Sequence, residues 1–201
     1  MRDVEELPAR LRRETADLHR AVEAAVGLPD SVRSRDDYVR LLQRLHAFHT
    51  AVEDRLAEAA WADRWGEVGV DLPQHRRAHL LARDLVALQE GPSSASPHGV
   101  EIADFPGALG CLYVVEGSSL GGRVIGPAIR SAIGDVPIGF FDSTDRDHPS
   151  PWRSLKAALA RFGEAGDAGA VVRGARDTFH AFERQVAAPG RASSDVPGLP
   201  R

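Results

Sequence analysis

His19 and Glu23 stand four residues apart in LRRETADLHRAVE, so on a helix they lie one turn above each other on a single face. A carboxylate in that place accepts from the imidazole Nδ1–H, which fixes the tautomer and leaves Nε2 to bind a metal. Arg12, seven residues earlier, falls about 10 Å along the same face, where a cation can anchor a ligand carboxylate. The same spacing also describes an exposed helical pair worth about 0.2–0.5 kcal/mol. Taken alone, the pair reads as the latter.

A second feature is the glycine string Gly117, Gly121, Gly122 and Gly126 in LYVVEGSSLGGRVIG. Each glycine inside a helix costs about 1 kcal/mol relative to alanine, so four together call for a reason. Gly117 and Gly121 share a face, and without Cβ atoms the backbone there can approach a neighbouring helix or a flat ligand at van der Waals distance. Close packing and ligand contact account for this equally well. A phosphate cradle does not fit, because the string lacks a Gly-Lys-Ser/Thr ending and a preceding strand.

Taken in order and about a hundred residues apart, LRRETADLHRAVE and LYVVEGSSLGGRVIG resemble the haem oxygenase family, in particular its bacterial biliverdin-producing branch. The likeness runs from about residue 7 to 187. It implies an all-α fold with haem between a proximal N-terminal helix and a glycine-kinked distal helix. By position it makes His19 the iron ligand, Glu23 its hydrogen-bonding partner, and Gly117 and Gly121 the distal helix, with Gly122 and Tyr113 also beside the haem. Arg12 and Arg153 fall where the family holds the haem propionates, Arg153 by the looser match. Phe179 and Phe182 close the pocket or belong to the core. Animal members carry an aspartate after the first distal glycine, where this chain has Ser118, so proton delivery must be organised differently, through Ser118, Ser119 or main-chain carbonyls.

The implied reaction uses haem b as both substrate and cofactor, O2, and electrons from an external reductase or ferredoxin, and yields biliverdin, CO and ferrous iron. A neutral imidazole pushes less electron density onto iron than a thiolate, which lets the oxygen attack the ring rather than break its own bond at once. No flavin or nicotinamide fingerprint occurs in the chain. A bacterial phytochrome is a candidate acceptor of the product. The alternative to ring opening is a haem carrier or sensor that keeps His19 but leaves its ligand intact.

These residues need elements to hold them, and the chain's periodicity supplies helices. Leu7, Leu11, Leu18 and Val22 recur on one face of a helix over about residues 3–26, which Gly27 and Pro29 stop. Ser34 and Asp37 cap a second helix bearing Leu41, Leu42, Leu45, Phe48, Val52 and Leu56, expected to reach the Trp61 region. Residues 74–89 carry Leu80, Leu81, Leu85 and Leu88 on a third. From Asp104 a long buried helix, bent at its glycines, runs to Gly134, followed by a loop over 134–149. Ser150 and Pro151 start a helix to about Phe162, and the last spans 168–187. The expectation is an all-α domain of six to eight helices over 1–188, with a disordered Pro-, Gly- and Ser-rich tail from 189 to 201.

Composition agrees. The 201 residues, 43% hydrophobic and 27% charged, suit a single core that needs no disulfide or structural metal. The lone Cys111 rules out Cys-rich zinc sites and covalent haem attachment. A net charge of −4 gives no electrostatic case for nucleic acid. No apolar run is long enough to span a bilayer, so a soluble cytoplasmic protein without membrane partners is expected. His46 and His49 with Glu53, and His75 with His79, have helical spacing that suits a metal, yet read as solvated or partly buried helix positions. His98 and His148 fall in loops. Cys111 reads as packing. Asp177 and His180 stand alone, without the paired Glu-x-x-His of a di-iron site.

Overall fold

In the computed structural model, which describes residues 6–92, 100–142 and 151–186, the described residues form helices and connecting turns with no strand. Ten α-helices follow in order. They are α1 (Leu7–Glu14), α2 (Ala16–Val26), α3 (Arg35–Leu56), α4 (Ala62–Glu67), α5 (Ala78–Ala87), α6 (Phe105–Ser118), α7 (Gly122–Ile133), α8 (Gly139–Asp142), α9 (Pro151–Ala165) and α10 (Ala168–Val186). The expected tail, His98, His148 and Ser150 lie outside the described residues.

The expected first helix is two. Thr15, with φ −115° and ψ 2°, ends α1 and begins α2, and its buried hydroxyl donates to the Leu11 carbonyl at 2.8 Å. That local bond competes with the helical ladder, so the chain bends while Leu7, Leu11 and Val22 all stay in the core. Gly27, at φ 63°, closes α2 in the left-handed cap that glycine adopts without strain.

The Ser34 cap holds as expected: its Oγ accepts from the Asp37 N–H at 3.1 Å. The helix it opens stops at Leu56, short of Trp61, which sits on a separate 3₁₀ turn over Ala59–Trp61 with its indole N–H donating to the Arg55 carbonyl. α5 starts later than expected, after a 3₁₀ turn over Leu72–His75.

The long glycine-bearing helix is present and bends at its glycines, as α6, a 3₁₀ turn over Ser119–Gly121 and α7. Only its first part is deeply buried. α7 leaves Val124 74% exposed, and Leu120 before it is 55% exposed. α6 runs along α10 at very short range: a Cβ on Gly110 would strike the Val171 carbonyl and the Ala175 N–H, and one on Gly174 would strike the backbone of Gly107. One hydrophobic cluster draws on helices from α1 to α10. The expected loop after Gly134 contains the single turn α8, which buries Phe140 and Phe141.

Candidate active site

A cavity of about 880 Å³ opens among α2, α3, the α6–α7 bend, α8, α9 and α10. That volume is at the upper end of what small-molecule and cofactor sites occupy. Its walls are largely apolar, with Val26, Leu45, Phe48, Ile125, Phe140 and Phe179 among them.

Most of the residues singled out in the sequence meet here. Arg12, His19, Glu23, Tyr113, Gly117, Ser118, Gly121, Phe179 and Phe182 all line the cavity. His19 Nδ1 lies 3.5 Å from Glu23 Oε2, with both side chains more than half exposed to the cavity and solvent. The edge of the His19 ring faces the Phe179 ring, centroids 6.0 Å apart, which braces the imidazole from α10. Burial pushes the Tyr113 phenol up, against the opposing pull of the Thr15 hydroxyl and the Arg12 charge. Tyr113 packs on Trp152 at 5.4 Å.

The glycine string divides into two functional kinds. A Cβ on Gly122 would lie 2.5 Å from the Phe141 carbonyl oxygen, and one on Gly126 would lie 3.0 Å from the Phe141 Cβ. These two let the segment after α7 pack tightly, and Gly122 is not among the cavity-lining residues. A Cβ on Gly117 would meet nothing nearer than the Trp152 ring at 3.8 Å, and one on Gly121 only the mobile end of Ile125 at 3.4 Å. The protein itself does not require glycine at 117 or 121, so the helical cost there is left to be explained by what the cavity holds. Arg153 also falls outside the wall: it is exposed on the first turn of α9, and the neighbouring Trp152 lines the cavity in its place.

Ser118 and Ser119 spend their hydroxyl protons on the carbonyls of Val115 and Glu116, each at 2.7 Å. They remain able to accept a hydrogen bond.

Several lining residues escaped the sequence reading. Arg20 adds a second cation beside Arg12; its place next to His19, off the i, i+4 row, hid it. Phe140 and Phe141 come from the segment read as loop. His49 was read as a solvated or partly buried helix position and is instead fully buried in the wall. Desolvation, with Arg77 and His46 nearby, pushes its imidazole down to about 3. The ring is therefore neutral, and its Nδ1 has no hydrogen-bond partner. His75 is also buried, its Nδ1 2.9 Å from Glu116 Oε1 but too poorly aligned to count as a hydrogen bond. Among the described residues no group of three or more His, Cys, Asp or Glu is placed to hold a bare metal ion, and no helix is long and apolar enough to cross a membrane.

An apolar cavity of this size, one exposed imidazole and one buried imidazole on its wall, two arginines and a pair of side-chain-free backbone positions fit a flat, largely apolar macrocycle with anionic edge groups. The comparisons with known proteins agree. The structure superposes on the NO- and CO-bound haem oxygenase of Neisseria meningitidis with a TM-score of 0.73 at 20% identity, covering 98% of this chain and all of that one. It superposes on the haem complex of haem oxygenase-1 from the cyanobacterium Synechocystis sp. PCC6803 with a TM-score of 0.68 at 17% identity, over 90% and 91% of the two chains. In sequence it is 31% identical over 159 residues to a haem oxygenase of Xanthomonas campestris pv. campestris (strain 8004), 78% of this chain and 92% of that protein. With the haem oxygenase family model matching residues 5–188, the chain belongs to the haem oxygenase family.

Proposed function

We propose that this chain performs the family's ring-opening reaction in the cavity between α2 and the α6–α7 bend, with His19 as the iron ligand. Haem, the family's substrate, supplies when bound the iron that activates O2 and the macrocycle that is cleaved to biliverdin with release of CO and ferrous iron. Residues 1–188 act as one unit in this reading, and 189–201 lie beyond it. The observation that carries it is the meeting of His19, Gly117 and Gly121 on one apolar cavity, although about a hundred residues separate them in the chain.

Each side chain has a distinct task. Glu23, its Oε2 3.5 Å from His19 Nδ1, is placed to accept from Nδ1–H and so to leave Nε2 free as the donor to iron. Arg12 and Arg20 offer guanidinium groups to the propionates. Tyr113 and Phe179 pack against the macrocycle and help to exclude water. Gly117 and Gly121 admit the ligand to van der Waals distance of the backbone. Ser118 stands where a carboxylate is missing. Its hydroxyl accepts a hydrogen bond while its own proton is on the Val115 carbonyl, so a proton passing through it must first displace that bond. Ser119 repeats the arrangement one residue on.

Electrons come in this reading from a separate reductase or ferredoxin, a bacterial phytochrome is a candidate acceptor of the bilin, and the reaction takes place in the cytoplasm. The test is an anaerobic titration with ferric haem followed through the Soret band, then admission of O2 with a reductase in the presence of catalase. Loss of the Soret band with formation of biliverdin and CO is expected. A stable oxygenated complex that gives no product would make the protein a carrier or sensor, and a Soret band that keeps the position and breadth of free haem throughout the titration would overturn haem binding itself.

A further inference from the structure

The segment from Val136 to Phe141, read in the sequence as plain loop, is fastened at four of its six residues by a side chain from elsewhere. Arg130 Nε donates to the Val136 carbonyl at 2.9 Å, and the Tyr38 hydroxyl to the Pro137 carbonyl at 2.7 Å. The Asp84 carboxylate, itself 5% exposed, accepts from the Gly139 N–H at 3.0 Å and the Phe140 N–H at 2.9 Å. Arg77 Nη2 donates to the Phe140 carbonyl at 2.8 Å. On the other side the segment is wedged against Gly122 and Gly126 of α7, which leave no room for a Cβ. Gly139 matches the clamp, since a Cβ there would lie 2.8 Å from Asp84 Oδ1. Such fastening far exceeds what a four-residue turn needs, and its product is the fixed position of two rings. Phe140 and Phe141 line the cavity, and Phe140 meets the buried His49 edge to face at 5.2 Å.

We propose that Asp84 is a positioning residue for ring opening: by gripping residues 139 and 140 from α5 it sets the depth and shape of the cavity wall formed by Phe140 and Phe141. It thereby sets the in-plane seating of the haem, and hence which meso carbon is cut. Asp84 does not line the cavity, so it acts through the two phenylalanines alone. A carboxylate suits the task because its two oxygens take two successive N–H groups as charge-assisted bonds, where a neutral side chain offers one acceptor and a conflicting donor.

This inference rests on the haem reading of the cavity, and the experiment separates the two. Asp84→Asn keeps the volume and loses one acceptor. It is compared with Leu56→Ala, a core truncation on α3 whose residue does not line the cavity, under conditions where both variants are folded by circular dichroism. In the ferric haem complexes, the pattern of hyperfine-shifted haem-methyl resonances reports seating without turnover, and chromatography of the biliverdin isomers reports the bond cut. The expected result is a changed methyl pattern and a several-fold rise in the minor isomers for Asp84→Asn, with Leu56→Ala retaining the wild-type pattern at a comparably lowered Tm. Wild-type seating and isomer ratio in Asp84→Asn would overturn the proposal and leave Asp84 a purely structural cap. If wild-type protein binds haem and releases no bilin, the enzymatic reading fails, while the methyl resonances still decide the role of Asp84.

Discussion

Replacing Gly117 and Gly122 separately by alanine tests whether the glycine string serves two ends. At Gly122 the new Cβ would stand 2.5 Å from the Phe141 carbonyl oxygen, about 0.9 Å inside ordinary van der Waals contact. The backbone it meets cannot yield easily, because Asp84 and Arg77 hold Phe140 next to it. Overpacking of this kind costs about 1–3 kcal/mol, and alanine at the first turn of α7 recovers less than about 1 kcal/mol in helix propensity. The net loss of about 1–2 kcal/mol lowers Tm by roughly 2–8 °C in a chain of this size. At Gly117 the new Cβ meets only the Trp152 ring at 3.8 Å, so the propensity gain survives and the ligand-free protein melts up to about 4 °C higher. The same methyl group projects where the macrocycle must approach, and a displacement of that order costs roughly tenfold or more in turnover. Differential scanning calorimetry of both ligand-free variants, with biliverdin formation measured beside it, gives the answer. Gly117→Ala melting as low as Gly122→Ala, or turning over at the wild-type rate, would refute the division of roles.

Other expectations follow from single observations. His19→Ala should abolish the native ferric spectrum and turnover while shifting ligand-free stability by less than about 0.5 kcal/mol, since its contact with Glu23 is exposed; retained turnover would exclude His19 as the iron ligand. Glu23→Ala should weaken haem binding by roughly tenfold, as loss of a ligand's orienting partner does, measured by Soret titration. His49 is held neutral down to about pH 3 whereas the unfolded imidazole protonates near 6.5. Its contribution is therefore constant above about pH 6.5, and stability is lost below it at roughly 1.4 kcal/mol per pH unit. His49→Gln should flatten the fall in urea-denaturation free energy between pH 6.5 and 4.5, and an unchanged slope would exclude a buried neutral ring. Burial pushes the Cys111 thiol up to about 12, so a thiol reagent at pH 8 should label it only after denaturant is added.

How much was legible depended on whether the partner of a residue was near it in the chain. Ser34 with Asp37 and Gly27 after α2 are local signals, and each works in the structure as its residue type dictates. The meeting of His19 with Gly117 followed from a family likeness, because no periodicity relates positions a hundred residues apart. The break at Thr15 was hidden because the apolar period continues across it from Leu11 to Leu18 and Val22. In GG at 121–122 the two residues look alike, and only Phe141, nineteen residues beyond the second, separates a packing position from a cavity position. The clamp on Phe140 was invisible for the same reason, since its donors and acceptors come from residues 38, 77, 84 and 130. His49 and His75 were misread as at least partly solvated because burial of a polar side chain depends on neighbours brought from afar, here Arg77 and Phe140 for one and Glu116 for the other.

The interior beside the cavity carries more charge than a helical core usually admits, and its arrangement keeps that charge off the wall. Glu53 of α3 accepts from the Arg77 and Ala78 N–H groups, both at 2.7 Å, and so caps α5, whose own N-cap residue makes no side-chain cap. A carboxylate at a helix N-terminus is favoured by the exposed N–H groups and the dipole there, and it also answers the Arg77 guanidinium. Glu116, 2.9 Å from His75 Nδ1, also faces the Arg77 charge. Protonating His49 would put a cation near Arg77 and His46 in a site that desolvates it fully, a cost that outweighs the Glu53 carboxylate 4.0 Å from its Nδ1, which is why its ring stays neutral. The deep wall thus presents an uncharged imidazole and aromatic rings, while the guanidinium groups of Arg12 and Arg20 come from the α1–α2 side with the exposed Glu23. A ligand whose body is apolar and whose anionic groups lie on one edge would be oriented by that segregation alone, before the proposed bond to His19 forms. Reversing it, by moving a charge to the deep wall, would cost burial energy for the body of the macrocycle without giving its edge a partner.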